Sequence, residues 1–146
     1  MVETIDIVPL ERIVPAYPPL PEAGAKAVWR FGMSRRQLLD AFGTPDEALP
    51  NYTGEVEMLY GDCFARFFDD RLVECTFPDL PERYRFRIDG VDVLSLFEWL
   101  GARDDVIDRA RFRICTSLGL AYDFRNPAQG SVTVFEAHRW DALLQA

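Results

Sequence analysis

The sequence is poor in the side chains that most chemistry needs. It has one lysine, one histidine and three cysteines, and no unbroken apolar run of membrane length. An odd cysteine count argues against a complete disulfide framework. Cys63, Cys75 and Cys115 lie in apolar strand-like patterns with no CxxC spacing. They read as inert core thiols of a reducing compartment. His138 with one of these cysteines is the one nucleophile–base pair available, and apolar surroundings speak against it. No span approaches the ~20 apolar residues a bilayer requires. The start, MVETIDIVPLERIV, has no basic n-region, apolar h-region or small-residue cleavage site, so a cytoplasmic protein is expected. GxGxxG, the P-loop, GxSxG, HExxH and the EF-hand spacing are all absent. No catalytic set, metal site or cofactor is therefore expected.

What is present suits a packed single domain over residues 1–146. Half of the residues are apolar, with 11 Phe, 5 Tyr and 3 Trp to fill a core. The net charge is −8, unevenly spread. Residues 40–108 carry 17 acidic and 6 basic side chains, a net of −11, and the rest of the chain is net +3. Nucleic acid and anionic membrane are disfavoured, because binding phosphate needs a basic footprint. A basic protein partner is favoured, since complementary fields speed and orient encounter. Solubility alone is the simpler use of the same charge.

Five of the ten prolines fall in residues 9–22, which read as an extended Pro-rich arm packed on the domain. Pro18 and Pro21 give one PxxP within it. Ile5 to Val8 and residues 27–31 are short strand candidates. Ser34 and Gln37 form a capping box for a helix over 35–42, with Leu38, Leu39 and Phe42 in the core and Gly43 and Pro45 ending it. Glu55 to Tyr60, Cys63 to Phe68 and Leu72 to Phe77 read as strands. Between the last two, a two-residue loop would pair Phe68 with Arg71. A three-residue loop would pair Phe68 with Leu72 and Arg66 with Glu74. The second is preferred, because it gives one apolar face and an opposite-charge cross-strand pair. It also places Cys63 diagonal to Cys75.

Glu82 to Ile88 alternates sharply, with Tyr84, Phe86 and Ile88 facing the core and Arg83, Arg85 and Arg87 facing out. The arginine stripe suits a solvated face, a protected edge strand or a recognition surface. A second helix is expected over 93–101, capped by Asp92 and using Val93, Leu94, Phe97 and Leu100. A third short helix would start at Asp104 and Asp105. Phe112 to Thr116, Leu120 to Phe124 and Ser131 to Glu136 are further strands, with a loop over 125–130 holding Asn126, Pro127 and Gly130. A last helical turn from Arg139 would close the core with Trp140, Leu143 and Leu144. No fixed-period repeat is evident, although the order strand, helix, strands can be read twice, near 27–77 and near 84–136.

The pieces FGMSRRQLLDAFGTPD, EVEMLY and FFDDRLVECTF, within Phe31 to Phe77, resemble the SmpA/OmlA outer-membrane lipoproteins and the β-lactamase-inhibitor-like repeats. The shared features are a Ser/Thr cap, a short helix ending in G-x-P and an antiparallel hairpin, over about a third of the chain. The resemblance implies a helix packed on an antiparallel sheet and used for protein–protein contact. The overall type, small, acidic and α+β, also resembles bacterial immunity proteins that neutralise secreted toxins. The ratio of 15 arginines to one lysine fits a GC-rich bacterial genome.

The expected fold is α+β: an antiparallel sheet of about five to seven strands with two to four short helices packed on one face. The expected function is non-enzymatic binding, as a cytosolic immunity protein for a basic toxin. Asp69, Asp70, Asp104, Asp105 and Asp108 would meet cations on the partner, with Arg83, Arg85 and Arg87 as the alternative face. An SmpA-like assembly module and a small enzyme with a carboxylate site are the alternatives.

Overall fold

The computed structural model describes residues 2–24, 27–50, 54–126 and 129–145. Thirteen strands and three α-helices occur among them. In chain order these are β1 Glu3–Val8, β2 Arg12–Val14, β3 Trp29–Arg30, α1 Arg35–Phe42, β4 Glu47–Pro50, β5 Glu55–Tyr60, β6 Cys63–Phe68 and β7 Arg71–Pro78. There follow β8 Tyr84–Ile88, β9 Val91–Val93, α2 Leu96–Gly101, β10 Ile107–Arg109, β11 Phe112–Cys115, β12 Leu120–Asp123, β13 Ser131–Phe135 and α3 Asp141–Gln145. Among the described residues no helix is long and apolar enough to cross a membrane.

The α+β character stands, but the sheet is larger than expected and it is double. A small sheet runs β3-β2-β1-β8-β9 and a large one β10-β11-β12-β13-β7-β6-β5-β4. Their inner faces share one core, to which Ile5, Ile7, Trp29 and Phe86 contribute from the small sheet and Tyr60, Phe67, Phe77 and Val134 from the large. Two sheets that each alternate apolar and polar residues bury their apolar faces by stacking. Trp29 sits fully buried at the centre, with ring centroids 5.8 Å from Tyr60, 5.9 Å from Phe42 and 6.3 Å from Phe77.

One pair departs from the antiparallel expectation: β1 and β8 run parallel, with Ile5 beside Phe86 and Ile7 beside Ile88. Nor do the helices pack on one sheet face. Chain order places α1 between β3 and β4, and α2 between β9 and β10, so each links an edge strand of one sheet to an edge strand of the other. Leu38, Phe42, Leu96 and Leu100 enter the shared core.

The large sheet is built twice. β4–β7 and β10–β13 are each an antiparallel meander, and they meet where β7 pairs antiparallel with β13. At that seam Thr76 faces Thr133, and their hydroxyls lie 3.0 Å apart. Counting outward from this pair, Phe64 corresponds to Ala121, Leu59 to Ile114 and Glu47 to Ile107. Strand order, direction and register are those of two units related by a two-fold axis normal to the sheet. The small sheet obeys the same relation about β1, since β2 is antiparallel to it and β8 parallel. The two strand–helix–strand units read from the sequence are thus present as topology, joined at the β7–β13 seam and set on either side of β1 in the small sheet.

Several local expectations need correction. The arm over 9–22 contains β2, a three-residue proline-free strand with neighbours on both sides, and leads into a 3-10 turn at Pro21–Ala23. The remainder packs as an arm does, with Tyr17 edge-on to Tyr60 at 5.2 Å. α1 has the expected bounds and both hydrogen bonds of its capping box. The second helix is shorter than expected and capped by Ser95, because β9 takes Val91–Val93 and leaves Leu94 95% exposed. Where a third helix was expected after Asp104, the chain forms the edge strand β10. Pro127 lies outside the described residues. The closing helix α3 does not complete the central core. Trp140 and Leu144 pack with Phe112, Ile114, Ala121 and Phe135 in a second cluster on the outer face of the large sheet.

Candidate functional site

The β6–β7 hairpin reconciles the two registers weighed from the sequence. Its tip is the two-residue loop Asp69-Asp70, with both residues at positive φ (53° and 55°) and Phe68 opposite Arg71. A bulge at Arg66/Phe67 then restores the register that pairs Arg66 with Glu74 and Ala65 with Cys75. The tight turn matches strand twist, and the bulge keeps the apolar face inward at the cost of one unpaired residue. Cys63 is indeed diagonal to Cys75, and all three cysteines are free and buried. Burial pushes the Cys63 thiol up to about 12. His138 is 87% exposed and pairs with Asp141 through Nδ1 at 2.8 Å.

The acidic candidates divide into two groups. Asp70 Oδ1 accepts from the backbone N–H and the Nε of Arg35, both at 3.1 Å, which ties the hairpin to the start of α1. These bonds hold its carboxyl below the usual range. Asp105 accepts two bonds of 2.9 Å from Arg103 and one of 2.5 Å from the Ser117 hydroxyl, and its pKa is strongly lowered by them. Asp108 grips Arg113 at 2.8 and 2.9 Å and is likewise lowered. Arg113 also lies over the Phe97 ring, 3.9 Å from its centroid. Three of the five carboxylates are therefore committed to internal contacts. Asp69 and Asp104 point to solvent. Asp69 and Asp70 sit between β6 and β7, whereas Asp104, Asp105 and Asp108 cluster at the β10 edge, with three strands intervening.

Arg85 and Arg87 of the arginine stripe lie on β8, an interior strand of the small sheet, and Arg83 immediately precedes it. Arg83 pairs with Asp62 at 2.8 Å and Arg87 with Asp92 at 3.0 Å, while Arg85 faces solvent. Register puts Arg85 beside Thr4 and Arg87 beside Asp6. Arg12 and Arg30 share this outer face, each bonded to Glu11 at the β1–β2 turn.

The acidic and arginine candidates leave out the outer face of the large sheet. On β5, β6 and β7 it carries an ion network. Arg66 donates from Nε to Glu57 at 2.9 Å and from Nη1 to Glu74, and Arg139 donates from Nε to Glu74 at 2.8 Å and from Nη2 to Glu55. Glu74 is the most buried member at 8%. Burial raises its pKa against the pull of Arg66. Burial also works against the charge on Arg66, yet Glu74 and Glu57 hold that guanidinium above its ordinary value. With Glu47, four carboxylates face two guanidiniums here, and half-exposed Leu49 and Phe68 lie at the margins. Beside the network, Leu59, Phe64, Thr76, Pro78 and Ser131 line an open groove of about 460 Å³, with Gly61 and Asp62 at one end. A sequence signal for this face existed: Leu59, Phe64 and Phe68 interrupt the polar side of the β5 and β6 alternation.

Among the described residues no cluster of three His, Cys, Asp or Glu is arranged to hold a metal ion. The chain matches no protein-family model, no curated protein and no solved structure.

Proposed function

We propose that this protein is a non-enzymatic binding domain for a basic protein partner, and specifically a cytosolic immunity protein that neutralises a basic secreted bacterial toxin. The observation that carries the reading is the placement of the acid-rich segment. Its strands β4–β7 present an outer face, crossed by Arg139 at Glu55 and Glu74 and open at the groove beside them, on which carboxylates outnumber guanidiniums and apolar side chains flank the network. Such a mixture suits a protein interface, where apolar anchors supply affinity and a polar surround fixes orientation. The likeness of residues 31–77 to helix-and-hairpin modules used for protein contact supports the same direction. Asp69 and Asp104 are the acidic loop residues best placed to meet a partner's cations. Asp70, Asp105 and Asp108 hold loops in place and contribute charge from there.

Co-expression with the toxin encoded beside this gene tests the reading. Suppression of toxicity and recovery of a complex are expected. An adjacent gene whose product is not toxic, or toxicity that persists, overturns it. The assembly-module alternative would use the arginine-bearing face of the small sheet, and it requires that R83E/R85E/R87E abolish partner capture.

A further inference from the structure

The two-fold relation in the large sheet sets an occupied surface beside an open one. On the β10–β13 side, Trp140 lies against Phe135, nearly parallel at 5.2 Å, and edge-on to Phe112 at 4.9 Å, over Ile114 and Ala121. The register carries Phe135 onto Pro78, Ile114 onto Leu59, Ala121 onto Phe64 and Phe112 onto Glu57. Three of these four counterparts, Leu59, Phe64 and Pro78, line the open groove. The groove is therefore the counterpart of the seat that Trp140 fills. The chain also shows what accompanies an aromatic ring on this sheet, because Arg139, its neighbour, reaches across to Glu74 and Glu55. The register carries Glu74 onto Ser131, so that acid has no counterpart; beside the groove stand Glu57, paired with Arg66, Asp62, paired with Arg83, and the exposed Glu47 on the neighbouring strand.

We propose that the groove lined by Leu59, Phe64, Thr76 and Pro78 seats an aromatic side chain that the partner protein presents next to an arginine or lysine. The inference rests on the reading of the protein as a binder of a basic protein and gives that reading a contact. Aromatic rings bring large apolar area at small entropic cost and recur as anchors of interfaces. The adjacent cation would meet Glu47 on the strand beside the groove, as Arg139 meets Glu74 on β7 and Glu55 on β5.

The test uses the full-length chain and three dipeptides, N-acetyl-Arg-Trp-amide, N-acetyl-Glu-Trp-amide and N-acetyl-Arg-Ala-amide, titrated to millimolar concentration and followed by NMR. The Arg-Trp probe is expected to shift resonances of Leu59, Phe64 and Thr76, and to bind about two- to fivefold tighter than Glu-Trp, the range of an exposed ion pair. Arg-Ala is expected to leave them unmoved. Phe64→Glu should abolish the shifts. Should that variant not fold, Ser131→Trp, which fills the groove from its own edge, should do the same. Absence of groove shifts, shifts confined to the Trp140 side, or equal binding of Arg-Trp and Glu-Trp each overturns the proposal. A toxin that binds the wild type and Phe64→Glu equally also sinks the groove but leaves the immunity reading standing. Failure of the toxin to bind while Arg-Trp seats as described sinks the immunity reading alone.

Discussion

The two halves of the large sheet share strand order, direction and register, yet their outer faces are unlike. Over β10–β13 the outer positions of β11, β12 and β13 hold Phe112, Ile114, Ala121 and Phe135, and the C-terminal segment covers them. Over β4–β7 the same positions hold Glu57, Leu59, Phe64 and Pro78, and no other segment of the described chain fills the groove between them. A cover permits a fully apolar patch, whereas an uncovered sheet face must carry enough charge to stay in water. The open half compromises by holding an ion network at its centre and leaving apolar groups beside it. The contrast marks the groove beside the network as the open part of the large sheet's outer face.

Removing the cover should produce the largest effect. Trp140→Ala takes away a ring packed between two phenylalanines and is expected to cost about 2–3 kcal/mol, somewhat below a fully buried aromatic because Trp140 is half-buried. Urea midpoints measure this, and a loss under 1 kcal/mol would mean that the second cluster contributes little. On the open half the network comes next. Glu74→Ala leaves Arg66 and Arg139 without their shared carboxylate and should cost about 2 kcal/mol, less than a fully buried pair because both arginines retain some solvent. Glu74→Gln should cost less than Ala, since its amide oxygen keeps an acceptor for one of the two arginines. Phe64→Ala, whose ring faces the groove, should stay under about 1 kcal/mol. A Phe64 loss equal to that of Trp140 would erase the distinction between the halves.

The smallest effect is a dependence on pH. The folded carboxyls of Asp70, Asp105 and Asp108 lie below their unfolded values. Their stabilisation is complete above about pH 4, the ordinary carboxylate range, and is lost as pH falls through the folded values. Asp105 and Asp108 anchor the second half and Asp70 the first. Asp105→Asn should therefore flatten the acid limb of the stability curve more than Asp70→Asn, as read from urea midpoints at pH 7 and pH 3. Equal flattening would show that the loops of the two halves are held alike.

Much of the fold could be read from local pattern. The capping box at Ser34 and Gln37, the alternation of Tyr84, Phe86 and Ile88, and the strands β5, β6 and β11–β13 follow from periodicity and turn chemistry. The boundaries that failed are places where pairing overrides preference. Val91–Val93 has helix-compatible neighbours but is drawn into β9 by β8, and Ile107–Arg109 becomes a strand because β11 offers an open edge. The candidate site was less legible. Acidic residues are visible in a sequence, but whether each is already paired is not, and Asp70, Asp105 and Asp108 proved to be paired.

By itself the sequence determined that this is a compactly cored, acid-rich α+β chain with a capped first helix and an arginine-bearing strand, since composition and short-range periodicity act over a few residues. Tertiary structure alone decided that the strands divide into two stacked sheets, that β1 and β8 run parallel, and that two similar meanders meet at the Thr76–Thr133 seam. It also decided that Trp140 covers one half of the outer face and leaves the other open. These outcomes depend on contacts between residues far apart in the chain, such as Arg139 with Glu55 and Glu74, whose closure cost and reward are set by the whole fold and not by any one segment.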